Sequence, residues 1–232
     1  MEISLIIPAY NEARSVAATI DAAAAALGRL TDRFEVIVVD DGSLDGTGTK
    51  AQALAAAHPY LHVVTHSQRL GKGAAVRTGM LKAQGTWRFF MDADLSYPPE
   101  QIGLLWHPLT HGYQVAIGQR RDLRPYRRHG RRLAAQMFRL WVRTAAGLSF
   151  SDPQCGVKGF CADAAQTLFP PLRTQGFAFD VELLLRAKRL GLRMTEVAVD
   201  WQDRGDSTVH MWRDGPRMAW EVLKLRYRTS GR

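Results

Sequence analysis

A parallel, doubly wound α/β sheet is the fold class the sequence predicts, and three observations carry that prediction. Short apolar runs alternate with helical stretches along the chain, the pattern of βα units rather than of hairpins. The runs are bulky and continuous, as in strands covered on both faces. The first two of them end on polar residues, which brings chemistry to the carboxyl edge of the sheet, where open α/β folds bind ligands. A chain of 232 residues can bury a full core, and one domain is expected over residues 1–232.

Ile3–Ile7 opens as a buried strand, and Pro8-Ala9-Tyr10-Asn11-Glu12 follows as a turn. Asn11 is the expected N-cap of an Ala-rich helix running to about Leu27. Phe34–Val39 is a second strand, ending in Asp40-Asp41-Gly42-Ser43. A helix from Thr47 to Ala57 stops before Pro59, and Leu61–Thr65 is a third strand. Gly71-Lys72-Gly73 then opens a helix to about Ala83. Free N–H groups and the helix dipole at that point suit a phosphate, and a plain turn fits equally; neither P-loop nor G-x-G-x-x-G spacing is present.

Trp87–Met91 is a fourth strand, bounded by Gly85 and by Pro98-Pro99, and it runs directly into Asp92 and Asp94. Carboxylates at i and i+2 of an extended chain project the same way, so both can reach one ligand. Two neighbouring acids repel, and a cation is their natural partner. A hard, oxygen-seeking ion, Mg²⁺ or Mn²⁺, held by Asp92 and Asp94 together with substrate phosphates, is expected. A solvated turn is the bland alternative for an isolated pair.

Tyr113–Gly118 is a further strand leading into Gln119-Arg120-Arg121. Ser151–Phe160 reads as a polar turn entering a short strand, and Phe177–Leu190 as a helix with Asp180 and Glu182 in its first turn. Met194–Trp201 is a strand, Gln202–Thr208 a polar loop that suits a lid or a plain connector, and Asp214–Arg228 a last helix.

The balance of 31 basic to 22 acidic residues, +9, calls for an anionic partner such as nucleotide phosphates, anionic lipid or nucleic acid. Nine arginines against one acid, Asp122, fall between Gln119 and Gly147. Arg132, Gln136, Arg139 and Arg143 share one helical face, opposite Leu133, Met137, Phe138, Trp141 and Val142. Such a helix suits an anionic membrane surface, or packing on the core with a solvated arginine face. The arginines are not interleaved with exposed aromatics and no base-reading motif is present, so nucleic acid is not expected as a partner. Cys155 and Cys161 form no C-x-x-C pair and no disulfide framework, which fits a reduced compartment. No apolar run approaches the ~18–20 residues needed to span a bilayer. The expected location is cytoplasmic, peripherally associated with the membrane.

Taken in order, Pro8-Ala9-Tyr10-Asn11-Glu12, Val39-Asp40-Asp41-Gly42-Ser43, Gly71-Lys72-Gly73 and Asp92-Ala93-Asp94 resemble the family 2 inverting glycosyltransferases of the GT-A fold. Asp152-Pro153-Gln154-Cys155-Gly156-Val157-Lys158, Ala178–Leu184 and Val199-Asp200-Trp201 extend the likeness to the dolichyl-phosphate β-glucosyltransferases and their prokaryotic relatives. The resemblance implies a mixed, mostly parallel sheet flanked by helices, with amphipathic helices near the C-terminus. It implies a nucleotide-sugar half at 1–118 and an acceptor and membrane half at 119–232. It further implies transfer of a hexose, glucose from UDP-glucose, to a polyprenyl phosphate. By the same resemblance Pro8, Tyr10, Glu12, Asp41 and Ser43 hold base and ribose with Asp40 nearby, and Lys72 approaches the nucleotide. Asp92 and Asp94 bind metal and diphosphate, Arg120 and Arg132 contact phosphate, and Asp152 is the acid on the acceptor side. Asp92–Ser96 looks more like the mannosyltransferases, and Val157 stands where a Phe is usual, so GDP-mannose remains an alternative donor. A soluble acceptor and a non-catalytic nucleotide-sugar or nucleic-acid binder are the other readings.

Overall fold

The computed structural model describes residues 1–122 and 147–202. In order they form β1 (Ile3–Ala9), α1 (Val16–Gly28), β2 (Phe34–Asp40), α2 (Thr47–Ala55), β3 (Leu61–Thr65), α3 (Lys72–Lys82), β4 (Trp87–Met91), α4 (Gln101–Thr110), β5 (Val115–Asp122), β6 (Val157–Cys161), α5 (Ala162–Leu168), α6 (Phe179–Arg189) and β7 (Met194–Trp201). The strands make one seven-stranded sheet ordered β3-β2-β1-β4-β6-β5-β7. Every neighbouring pair is parallel except those made by β6, which runs against both β4 and β5. The mixed, mostly parallel sheet is therefore present, and the wholly parallel reading of the apolar runs is corrected at one strand. An apolar run carries no sign of its direction.

The sheet divides its side chains between two packed layers. Ile3, Leu5 and Ile7 of β1 pack with Val16 and Ile20 of α1 and with Ile102 and Leu105 of α4. Ile6, between them, faces Val76 and Met80 of α3 and Phe179 and Leu183 of α6. This alternation is the two-residue period of a strand buried on both sides, and each such side chain contributes about 1.5–3 kcal/mol. Pro8 sits inside β1, but pairing with β4 ends at Ile6 and Phe90, so its missing N–H falls beyond that ladder.

From β1 the chain moves outward to β2 and β3, then returns across to β4 on the other side. The strand order thus reverses between β1 and β4, and the crevice beyond their carboxyl ends is the expected ligand position. Three expectations need correction. α1 starts at Val16, not after Asn11, because Asn11 adopts a left-handed φ of +56° and its side chain accepts the Leu44 N–H at 3.1 Å instead. β5 continues through Arg120 to Asp122 alongside β7. Two helices, α4 and α5, occupy stretches assigned no structure, α4 with Pro108 inside its last turn. Arg132, the basic helix, the loop beyond Gln202 and the last helix lie outside the described residues. Among the described residues no helix is long and apolar enough to cross a membrane.

Candidate active site

The β1–α1 loop and the β2–α2 loop are laced together above the switch point. Asn11 N–H donates to the Ser43 hydroxyl at 2.9 Å, Glu12 N–H to Thr47 Oγ1 at 2.8 Å, and Ala13 N–H to Asp45 Oδ2 at 2.9 Å. Asp40, buried, accepts the Ser43 N–H at 3.2 Å, and its other oxygen fills the space a Cβ at Gly48 would need. Asp40 and Ser43 are joined directly, and Pro8 lies in register with Val39, the residue before Asp40. Arg69, which the sequence reading did not single out, lies 4.1 Å over the Tyr10 ring. Its position beside the Gly71-Lys72-Gly73 turn was the available signal.

Asp41 has a different occupation. Its carboxylate is buried, accepts the N–H groups of Leu70 at 2.9 Å and Gly71 at 2.7 Å, and meets His66 Nδ1 at 2.8 Å. His66 Nε2 in turn reaches Thr78 of α3 at 3.0 Å. Asp41 therefore fastens the loop that leads into α3. The other side of that turn is fastened as well, since Gly73 and Ala74 N–H donate to the Gln175 carbonyl at 2.7 and 3.2 Å. The N–H groups of Gly71, Gly73 and Ala74, expected free for phosphate, are already bonded to Asp41 and Gln175, so the plain-turn alternative fits them better. The glycines permit that approach: a Cβ on Gly71 would come 2.6 Å from Gln175 O, and one on Gly73 2.5 Å from Thr174 O.

Asp92 and Asp94 fall just past the end of β4, in a turn rather than in extended chain. The Thr19 hydroxyl donates to Ala93 O at 2.7 Å, Ser96 N–H donates to Asp94 Oδ1 at 2.9 Å, and Leu95 takes a φ of +55°. Strand alternation is thus not what aims the two acids, yet both act on the same neighbours. Burial, and then the negative charge of Asp94, Asp45 and Asp92, push Glu12 above the usual carboxylate range against the pull of the Ser15 hydroxyl. Lys72 Nζ sits 2.5 Å from Asp92 Oδ1. Burial lowers the Lys72 ammonium, but Asp92, Asp180 and Asp94 outweigh it and leave it above its ordinary value. Beneath lies a buried pair, Lys158 with Asp180 at 2.6 Å, where burial raises Asp180 against its two lysine neighbours.

The donor set tests well against a divalent ion. Asp94, Asp45 and Asp92 act on Glu12, and Lys72, paired with Asp92, also feels Asp180 and Asp94, so the carboxylates beside the crevice share few cations. Among the described residues no three His, Cys, Asp or Glu side chains form a ready cage. Two carboxylates completed by substrate phosphates is the arrangement Mg²⁺ adopts.

At the carboxyl end of β5 Arg120 forks onto Asp152, with Nε to Oδ2 at 2.6 Å and Nη2 to Oδ1 at 2.8 Å. Two of the three residues expected to meet the acceptor, Arg120 and Asp152, hold each other. Tyr97, also missed, joins this turn to the acid turn: its buried hydroxyl accepts the Gly156 N–H at 3.0 Å, and Gly156 packs so closely on Asp92 that no Cβ fits. An aromatic between Asp94 and Pro98-Pro99 was the clue.

The family model described as Glycosyl transferase family 2 matches residues 4–161. The chain is 36% identical to dolichyl-phosphate beta-glucosyltransferase of Drosophila melanogaster, over 88% of this chain and 68% of that protein. It is 31% identical to undecaprenyl-phosphate mannosyltransferase of Micrococcus luteus, over 97% of this chain and 99% of that protein. It is 32% identical to glycosyltransferase AglD of Haloferax volcanii over 97% of this chain, which spans only 37% of AglD's length. Among solved structures, glucosyl-3-phosphoglycerate synthase of Mycobacterium tuberculosis, in complex with Mn²⁺, UDP and phosphoglyceric acid, shares the fold. The TM-score is 0.73 at 22% identity, covering 99% of this chain and 78% of that one.

Proposed function

The chain belongs to glycosyl transferase family 2, and from that membership we propose that it moves a hexose, glucose from UDP-glucose, onto a polyprenyl phosphate to give a β-linked lipid-phosphate sugar. The observation that carries the reading is the placement of Asp92 and Asp94 in the turn just past β4, at the switch crevice, where Lys72 pairs with Asp92 and both acids act on Glu12. Asp92 and Asp94 hold the dication, and Pro8, Tyr10, Glu12, Asp40 and Ser43 bound the nucleotide pocket, with Asp41 holding its floor. A Mg²⁺ or Mn²⁺ held by Asp92 and Asp94 would supply charge neutralisation for the departing diphosphate. The names of the Drosophila and Micrococcus relatives support a polyprenyl phosphate acceptor.

A phosphate monoester has a second pKa of about 6, so it arrives ionised near neutrality and needs no base. That suits Asp152, whose two oxygens both accept from the Arg120 fork and are occupied in holding it. Asp152 orients the acceptor through Arg120, and Arg132 contributes a second cation. The acceptor oxygen forms the new bond to the anomeric carbon from the side opposite the diphosphate, which departs with the electron pair of the broken bond. An α-linked donor thereby yields a β-linked product. GDP-mannose is the second reading, favoured by the match over 99% of the Micrococcus mannosyltransferase. Attachment is peripheral, on the cytoplasmic membrane face, through the basic segments.

The test is a panel of nucleotide sugars with polyprenyl phosphate and Mg²⁺ or Mn²⁺, reading sugar in the lipid phase. Label from UDP-glucose that disappears with chelator is expected. Folded, metal-supplied protein that transfers from no nucleotide sugar would falsify the reading.

A further inference from the structure

Lys72 is the first residue of α3, and its backbone is held on both sides. Asp41 takes the N–H groups of Leu70 and Gly71, Gln175 takes those of Gly73 and Ala74, and close packing at Gly71 and Gly73 leaves no slack. Only the side chain is free to choose a partner. In the structure it chooses Asp92, with the ammonium 2.5 Å from Oδ1, and Asp180 and Asp94 are the other acids that act on it. Asp92 lies in the turn just past β4, and its side chain stays partly exposed while paired to Lys72.

We propose that Lys72 is an internal counter-ion for Asp92 that competes with the divalent cation, so that the metal enters together with the nucleotide diphosphate rather than before it. This rests on Asp92 and Asp94 as the metal-holding pair. An ammonium hydrogen-bonded to Asp92 and a dication on that same carboxylate are like charges a few ångströms apart, and in a partly buried crevice the repulsion is strong. One of them must move. A nucleotide diphosphate resolves the conflict: its oxygens complete the coordination of the dication and offer a new anionic partner to the displaced ammonium. Asp180 does not take the ammonium as readily, because it already shares its charge with Lys158 at 2.6 Å. Metal and nucleotide therefore bind with positive coupling, and by reciprocity each strengthens the other by the same factor. Lys72 is a positioning residue in this scheme and need not touch the reacting carbon.

The experiment measures Mn²⁺ binding by the electron paramagnetic resonance of free Mn²⁺, on the full chain, with and without UDP. Lys72→Met keeps the length of the side chain and removes its charge. It is expected to bind Mn²⁺ alone about tenfold to a hundredfold more tightly than wild type, the scale on which a cation this near perturbs a carboxylate. The gain that UDP gives to Mn²⁺ affinity should shrink by a similar factor, while Lys72→Arg keeps the wild-type pattern. Lys72→Met that is folded by circular dichroism yet binds Mn²⁺ alone no better than wild type overturns the proposal. So does wild-type protein whose Mn²⁺ affinity is the same with and without UDP, a measurement that needs no variant. Asp94→Asn separates the two ideas: if it retains full Mn²⁺ affinity in the presence of UDP, the metal assignment itself is wrong. If it loses Mn²⁺ while Lys72→Met is unchanged from wild type, only the counter-ion role fails.

Discussion

The two ends of β1 treat charge in opposite ways. At the amino end Glu35 is buried beside Ser4, whose hydroxyl donates to it at 2.5 Å, and Gln84 N–H adds a second bond at 2.7 Å. Ser4 also accepts the Gly85 N–H at 2.8 Å, so the polar groups there close on one another. At the carboxyl end Asp94, Asp45 and Asp92 act on Glu12, and one lysine, Lys72, pairs with Asp92 while also feeling Asp180 and Asp94. Satisfied acids hold a fold together.

The comparison can be broken, and the largest effect is expected where a closed pair is opened. Lys158→Met leaves Asp180 buried without its partner and should cost about 3–5 kcal/mol in urea unfolding, with part recovered by Asp180→Leu in the same chain. Next comes a contrast between the two ends of β1. Asp94→Asn should leave the melting temperature nearly unchanged and lower turnover by about 10²–10³-fold, the range seen when one charge-stabilising group is removed. Glu35→Gln should do the reverse, losing about 1–3 kcal/mol of stability with turnover per folded molecule retained. Equal loss of turnover in both variants would erase the distinction. The smallest effect concerns Cys155, whose thiol burial pushes up to about 11. The unfolded thiol ionises near 8.5, so its contribution to stability is complete below that value and is lost as pH rises toward about 11. Cys155→Ala should flatten that decline in urea midpoints, and under native conditions the less buried Cys161 should react first with a thiol reagent.

Much of the frame is legible in the chain. The bounds of β3, β4 and β7 coincide with the apolar runs, because Gly, Pro and polar residues punctuate them. α4 was hidden by its prolines, although Ile102, Leu105 and Leu109 recur at helical spacing on its buried face. For the site, residue types are legible but their partners are not. Asp41 and Asp92 look alike in sequence, yet one is fully bonded to the loop at 70–71 and the other is held by a single lysine. The helix start at Lys72 looks open until Gln175, about a hundred positions away, closes on it. Such partners come from the tertiary path of the chain, which local patterns do not encode.

The reversed strand β6 has a consequence for anyone who would cut the gene in two. β4 leads into Asp92 and Asp94 at its tip, but its edge away from β1 is sealed by β6, from beyond residue 118, in register from Trp87 with Cys161 to Met91 with Val157. Expressed alone, the first 118 residues would present an open, aromatic edge, with Phe89 and Phe90 flanking it, and would invite self-association. Supplied in trans, the remainder should rescue solubility and catalysis together rather than one after the other.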